Sequence, residues 1–162
     1  MTKRIKGSHV VIFKNDSRKE VFLVWRSDYP IWGLTGGGIK KGENPKKAAI
    51  REAFEETGFK VKIIKKLGTI KMYNGEKFIG KCHLYEGRRV SGKFVPEFPG
   101  CRGKWFNTNS LPLRILKQTR EQIQIAKGKK EVPTKLQNNM LKNYYLLFLN
   151  PISSIKFLLK IK

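Results

Sequence analysis

Acidic residues are scarce in this chain: 12 Asp and Glu stand against 35 Lys and Arg, for a formal charge of +23. A field of that sign draws anions of every kind, nucleotides, RNA and acidic lipid alike, and it constrains partners more than chemistry. Cysteine is nearly absent. Cys82 and Cys101 belong to no C-x-x-C pair, and His83, beside Cys82, would point to the opposite face of a strand, so no zinc spacing is present. Two reduced thiols in a cytoplasmic protein are expected. Long apolar runs are missing too. No stretch reaches the roughly 18 residues of a spanning helix. The apolar run that follows the basic start, Ser8 to Lys14, is too short for a signal peptide and reads as a strand. Wholesale disorder is excluded by 40% hydrophobic and 11% aromatic content.

What is present suits one domain with a core and one appendage, given 162 residues. Ser8–Lys14 and Val21–Arg26 are β-branched, apolar runs on either side of the turn cluster Asn15-Asp16-Ser17, and together they predict a hairpin. A glycine-dense loop, Trp32 to Gly42, follows. Asn44 is a good N-cap and Pro45 suits the first helical position. A helix is therefore predicted from Pro45 to Thr57, with Gly58 in the left-handed position after it. Strands are predicted at Val61–Leu67, Thr69–Tyr73 and Lys77–Tyr85, with Asn74-Gly75 as a tight turn. Gly87 to Gly103 reads as a loop and Lys104–Asn107 as a short strand. Leu113 to Lys127 reads as a helix from the spacing of Ile115, Leu116, Ile123 and Ala126.

After Glu131 no acidic residue occurs, and lysines alternate with Leu141, Tyr144, Leu147, Phe148 and Leu149. The expected organisation is a domain over residues 1–130 and a basic, apolar, helical extension over residues 131–162. Two fates of that extension stand side by side. It packs its apolar stripe on the domain, or on a second copy in a homodimer, or it lies on an anionic membrane surface as a peripheral anchor.

The chemistry concentrates in the first helix. Glu52, Glu55 and Glu56 stand at i, i+3 and i+4 and project from one face. Like charges at that spacing repel, and three of only 12 acids are spent there. A hard divalent cation with a preference for oxygen ligands, Mg²⁺ above all, removes the conflict. Arg51 lies one turn before Glu55 and is placed to clamp a carboxylate through a bidentate pair. Gly36, Gly37 and Gly38 let the preceding backbone approach a metal or a phosphate closely. Glu43 sits just ahead of the helix, where the dipole favours a carboxylate.

Gly37, five residues, Glu43, seven residues and then Arg51-Glu52-Ala53-Phe54-Glu55-Glu56-Thr57-Gly58-Phe59 resemble the Nudix box, G-x5-E-x7-R-E-U-x-E-E-x-G-U with U apolar, at every fixed position. The resemblance spans residues 6–127, with Thr35 where the family often has proline. It implies an α/β/α sandwich with a mixed sheet. It also implies hydrolysis of the phosphoanhydride of a nucleoside diphosphate linked to another group, with Mg²⁺, or Mn²⁺ in its place. Carried over by position, Glu52, Glu55, Glu56 and the Gly36 carbonyl become metal ligands, Arg51 orients a glutamate, and Glu52 or Glu55 serves as general base. Arg26, Gly37 and Gly38 fall where substrate binds. Glu97 is the candidate for a further glutamate that some members use. Substrate stays open between a small nucleotide and the 5′ end of RNA, and a catalytically silent binding module is the alternative of another class. Trp25, Trp32 and Tyr73 either stack on a base or fill the core. His9, alternating with core residues, receives no catalytic role.

Overall fold

A computed structural model describes residues 5–27, 30–74, 76–132 and 135–137. Strand β1 (Ile5–Phe13) is central. Along one edge it pairs in parallel with β6 (Lys77–Ser91) over its whole length, from Ile5↔Gly80 to Phe13↔Arg88. Its other edge is shared. The first half pairs antiparallel with β4 (Thr35–Gly38), from Gly7↔Gly38 to Val10↔Thr35, and Phe13 then meets Val21 of β2 (Glu20–Trp25). The predicted hairpin is thus antiparallel as expected but joined at its turn end alone, because β4 wedges in where β1 and β2 part. That wedge is the triple-glycine segment. It is strand, not loop, since the β1 edge offers it partners.

β2 continues outward to β3 (Trp32–Gly33) and to β7 (Arg102–Asn107). On the far side β6 pairs antiparallel with β5 (Lys60–Asn74), and β8 (Lys135–Gln137) adds in parallel to β5. The sheet of eight strands is mixed, as expected. The two strands expected within Val61–Tyr73 are one, bent at irregularities such as Ile63/Lys65 and Lys66/Gly68. β6 also runs on through Gly87 to Ser91, where a loop was expected, because β1 and β5 flank it.

Period-two alternation sorts the core onto two faces. Val10, Ile12, Phe22 and Val24 pack with Ala49 and Ala53 of α1 (Pro45–Thr57). Val11, Phe13, Val21 and Leu23 pack with Ile123, Ile125 and Ala126 of α2 (Lys117–Ala126). Neighbouring residues of one strand serve opposite helices, which makes the three layers of an α/β/α sandwich. Phe54 of α1 points to solvent, 53% exposed, and the small Ala48 takes a buried place beside Ala49. α2 starts at Lys117 and not at Leu113, which is exposed.

One buried charge ties the β1–β2 turn to the sheet. Glu86 of β6 is fully buried, and its Oε1 accepts from Arg18 Nε at 2.9 Å and Arg88 Nη2 at 2.8 Å. Its Oε2 lies 3.7 Å from Lys65 Nζ and accepts no hydrogen bond among the described residues. Arg88 also covers the Phe13 ring at 5.3 Å. Arg88 Nε donates in addition to Asp16 Oδ1 at 3.2 Å, so removing the Glu86 carboxylate would leave Arg88 with that exposed partner alone among the described acids.

Within the extension expected to be helical, Lys135–Gln137 is a strand on the β5 edge. The rest of that expectation, and the choice between packing, dimer and membrane for residues 138–162, lies outside the described residues. No helix among the described residues is long and apolar enough to cross a membrane.

Candidate functional site

α1 is placed by local signals at both ends. Asn44 Oδ1 accepts from Lys46 N at 2.8 Å, Pro45 occupies the first turn, and Gly58 (φ 71°) closes the helix with its N–H on Phe54 O at 2.7 Å. Ser8 Oγ of β1 donates to Pro45 O at 2.7 Å and fixes the helix start against the sheet. The flank of α1 next to Ala49 and Ala53 carries Glu52, Glu55 and Glu56 beside β4.

Arg51 organises the cluster. Its Nε and Nη2 donate to the two oxygens of Glu43 at 2.8 and 2.9 Å, a bidentate pair. Nη1 donates to Glu52 Oε1 and Glu55 Oε2, each at 2.8 Å, and Nη2 also reaches Gly38 O at 3.0 Å. The Arg51 hydrogen bonds, with the Lys40 N–H next in weight, hold the Glu43 carboxyl down at about 2. Glu43 and then burial, Glu52 and Glu55 act on Arg51, and the balance raises its pKa above the ordinary value. Glu43, expected as a dipole partner, is therefore the anchor of the arginine that orients the other two acids.

Glu56 turns the other way. Its Oε2 accepts from Gly36 N at 3.0 Å. Burial above all, against the Gly36 hydrogen bond and the charge of Arg26 and helped by the charges of Glu52 and Glu97, brings this carboxyl up to about 8. Gly36 contributes an N–H here; its φ of 151° and the closeness of Ser8 O, 2.4 Å from where a Cβ would sit, leave room for glycine alone. A Cβ on Gly37 would fall 2.5 Å from Glu52 Oε2, so the bare backbone of β4 lies directly on that carboxylate.

Among the described residues no three His, Cys, Asp or Glu side chains are gathered closely enough to hold a metal ion as they stand. Arg51 supplies the countercharge to Glu52 and Glu55. The donor set nonetheless fits a hard divalent cation: three carboxylates on one helical turn, one of them buried beside like charges, with Glu52 Oε2 against Gly37 and outside the Arg51 bonds.

Arg26 and Glu97 join this group in space. With Val24, Phe98 and Cys101 they line a small recess against Glu56. From there a cleft of about 190 Å³ opens past Gly36 and the end of β2 toward α2. Gln118, Thr119 and Gln122 of α2 and His9 of β1 border it, and Gln122 Nε2 stands 3.5 Å from His9 Nδ1. Burial lowers the His9 pKa, against the Gln122 contact that raises it. None of these four was expected at the site. The one signal in the sequence was polar Gln122 and Thr119 interrupting the apolar stripe of the second helix, and their burial, 2% and 4% exposed, makes it legible only in three dimensions. Trp25 and Trp32 contact each other edge-on at 5.6 Å, and Trp32 packs on Phe106 at 4.7 Å and against the α2-side core, which favours the core role for Trp32. The side chain of Tyr73 lies outside the described set. Both cysteines are free thiols, Cys82 buried and Cys101 half-buried.

A family model described as the NUDIX domain matches residues 5–126. Among curated proteins, the "Putative 8-oxo-dGTP diphosphatase" of Bacillus subtilis (strain 168) is 34% identical over 119 residues, 73% of this chain and 76% of its own length. The "Diphosphoinositol polyphosphate phosphohydrolase 3-beta" of Bos taurus is 38% identical over 73 residues; the match spans 44% of either chain, less than half the length of that relative. Among solved structures, a MutT NUDIX hydrolase from Burkholderia pseudomallei superposes with a TM-score of 0.64 at 20% identity, covering 75% of this chain and 97% of that one.

Proposed function

The chain belongs to the Nudix hydrolase family, whose members cut acid anhydrides of phosphorus, and on that premise we propose that it is a Mg²⁺-dependent pyrophosphohydrolase of a small nucleotide. The observation that carries this reading is the turn of α1 that sets Glu52, Glu55 and Glu56 against the glycine strand β4, at the mouth of a cleft large enough for part of a nucleotide. Glu52, Glu55 and Glu56 would hold the cation, with the β4 backbone at Gly36 beside them. When bound, the cation neutralises the bridging phosphates and acidifies a water.

The chain's own residues do the rest. Arg51 keeps Glu52 and Glu55 in register through Nη1, and Glu43 keeps Arg51 in place through its paired bonds. Glu52 or Glu55 takes the proton of the attacking water, while Glu97 stands close enough to Glu56 to act on it electrostatically and is the third candidate. Arg26, lining both recess and cleft, meets substrate phosphate. The open backbone of Gly37 and Gly38 gives substrate an approach without side chains. The complete acid set argues against a silent binding module, and the two free thiols suit a reducing cytoplasmic setting.

The test is a panel of nucleoside triphosphates, dinucleotides and nucleoside-diphosphate sugars with Mg²⁺, with released phosphate and pyrophosphate read separately. Turnover of at least one compound, abolished by EDTA and restored by Mg²⁺ or Mn²⁺, is expected. No turnover of any of them, or turnover indifferent to EDTA, refutes the reading. Repeating the assay between about 50 and 200 mM salt separates substrates: a loss of several powers of ten would move the assignment to the 5′ end of RNA.

A further inference from the structure

The α2 side of the cleft is built unlike the carboxylate side. Gln122 is 2% exposed, yet among the described residues its one hydrogen-bond contact is with His9 Nδ1 at 3.5 Å. A carboxamide carries two N–H donors and two acceptor lone pairs. Most of that capacity is unused in a side chain almost wholly withdrawn from bulk water, and the cleft is what it borders. Gln118 and Thr119, on the same turn of α2, add further neutral polar groups.

The facing walls are apolar. Ile31, Leu34 and Leu116 line them, and Gly33 leaves its stretch flat. Among the described lining residues Arg26 is the one lysine or arginine, and it belongs to the Glu56 end, where it also lines the recess that contains no α2 residue. A second phosphate or a polyphosphorylated ring would call for cations on the α2 side. A flat, neutral ring system with donors and acceptors along one edge matches apolar walls and an amide floor.

Resting on the reading of the site given above, we propose that the cleft seats the base of the nucleotide, and that Gln122, held against His9, reads the hydrogen-bonding edge of that base. The substrate then lies with its base against α2, its phosphates past Arg26, and the scissile anhydride at Glu52, Glu55 and Glu56. The volume of about 190 Å³ is below the roughly 300–1,000 Å³ of pockets that engulf a whole drug-sized ligand. It accommodates the base and leaves sugar and phosphates to the open groove.

Isothermal titration in EDTA tests this without turnover. The ligands are nucleoside 5′-monophosphates of the common bases, with ribose 5-phosphate as the base-free control. Wild type is expected to show at least a roughly tenfold spread of Kd between bases, with the control weakest. Gln122→Leu should compress the spread to about threefold or less, and Gln122→Glu, which keeps the shape but replaces the donor by an acceptor, should change the order of the bases. Base-indifferent binding by the wild type overturns the inference, and that measurement needs no variant. So does a spread that survives in a folded Gln122→Leu protein. Base-dependent binding without any anhydride hydrolysis would sink the catalytic reading and leave the cleft assignment standing; hydrolysis that ignores the base would do the reverse.

Discussion

Gly37 and Glu52 are the pair of residues on which the site's geometry turns most tightly. A Cβ at Gly37 would sit 2.5 Å from both Cδ and Oε2 of Glu52, so even alanine must push the carboxylate off β4. A displacement of about 1 Å at a reacting centre costs on the order of 100-fold in rate. Gly37→Ala is therefore expected to lower kcat about 100-fold while keeping the cooperative thermal transition, as steady-state kinetics and a melting curve would show. A variant within threefold of wild type would mean that the contact does not set the position of Glu52. At this scale the acids were legible in the sequence because their meaning lies in spacing along one helix. His9, Thr119 and Gln122 were not, because each acquires its place from burial between β1 and α2, which no local pattern encodes. Glu43 was legible in position, but its partner was not: the structure pairs it with the side chain of Arg51, eight residues on.

α1 emerged with the bounds its sequence announced, Pro45 to Thr57, because cap, proline and terminal glycine are signals within the segment itself. Asn44→Ala removes the side-chain acceptor of the Lys46 N–H and is expected to cost about 1 kcal/mol of stability, read by chemical denaturation. No measurable change would mean that Ser8 Oγ on Pro45 O and the sheet contacts already hold the helix start. Strands behaved differently. β6 runs through Gly87 to Ser91 and β4 forms from a triple glycine, against local propensity, because β1 and β5 supply partners for their backbone groups. The wedge of β4 between β1 and β2 is such a tertiary outcome, and it is what brings Gly36 to Glu56. For α2 the error lay at the start: Leu113 to Leu116 continue the apolar count, yet Leu113 is 89% exposed and Ile115 bridges to Trp32 before the helix begins.

For the molecule as a whole, the sparse acids are not spread evenly. Glu43, Glu52, Glu55, Glu56 and Glu97 gather around one site in a chain of charge +23. Exposed Lys40, Lys41, Lys46 and Lys47 flank it on the approach loop and the first turn of α1. The surrounding field attracts anions, and on the proposed reading a divalent cation at the centre would offset the carboxylates that otherwise repel an anionic substrate. Titration of Mn²⁺ into the wild type and Glu56→Gln, followed by the loss of the free-ion EPR signal with circular dichroism as the control for fold, asks this directly. A site in the wild type that weakens at least roughly tenfold in the variant is expected, since even groups behind the ligands shift metal affinity by that much. Equal Mn²⁺ affinity in the two folded proteins would contradict the placement of the cation on this turn of α1.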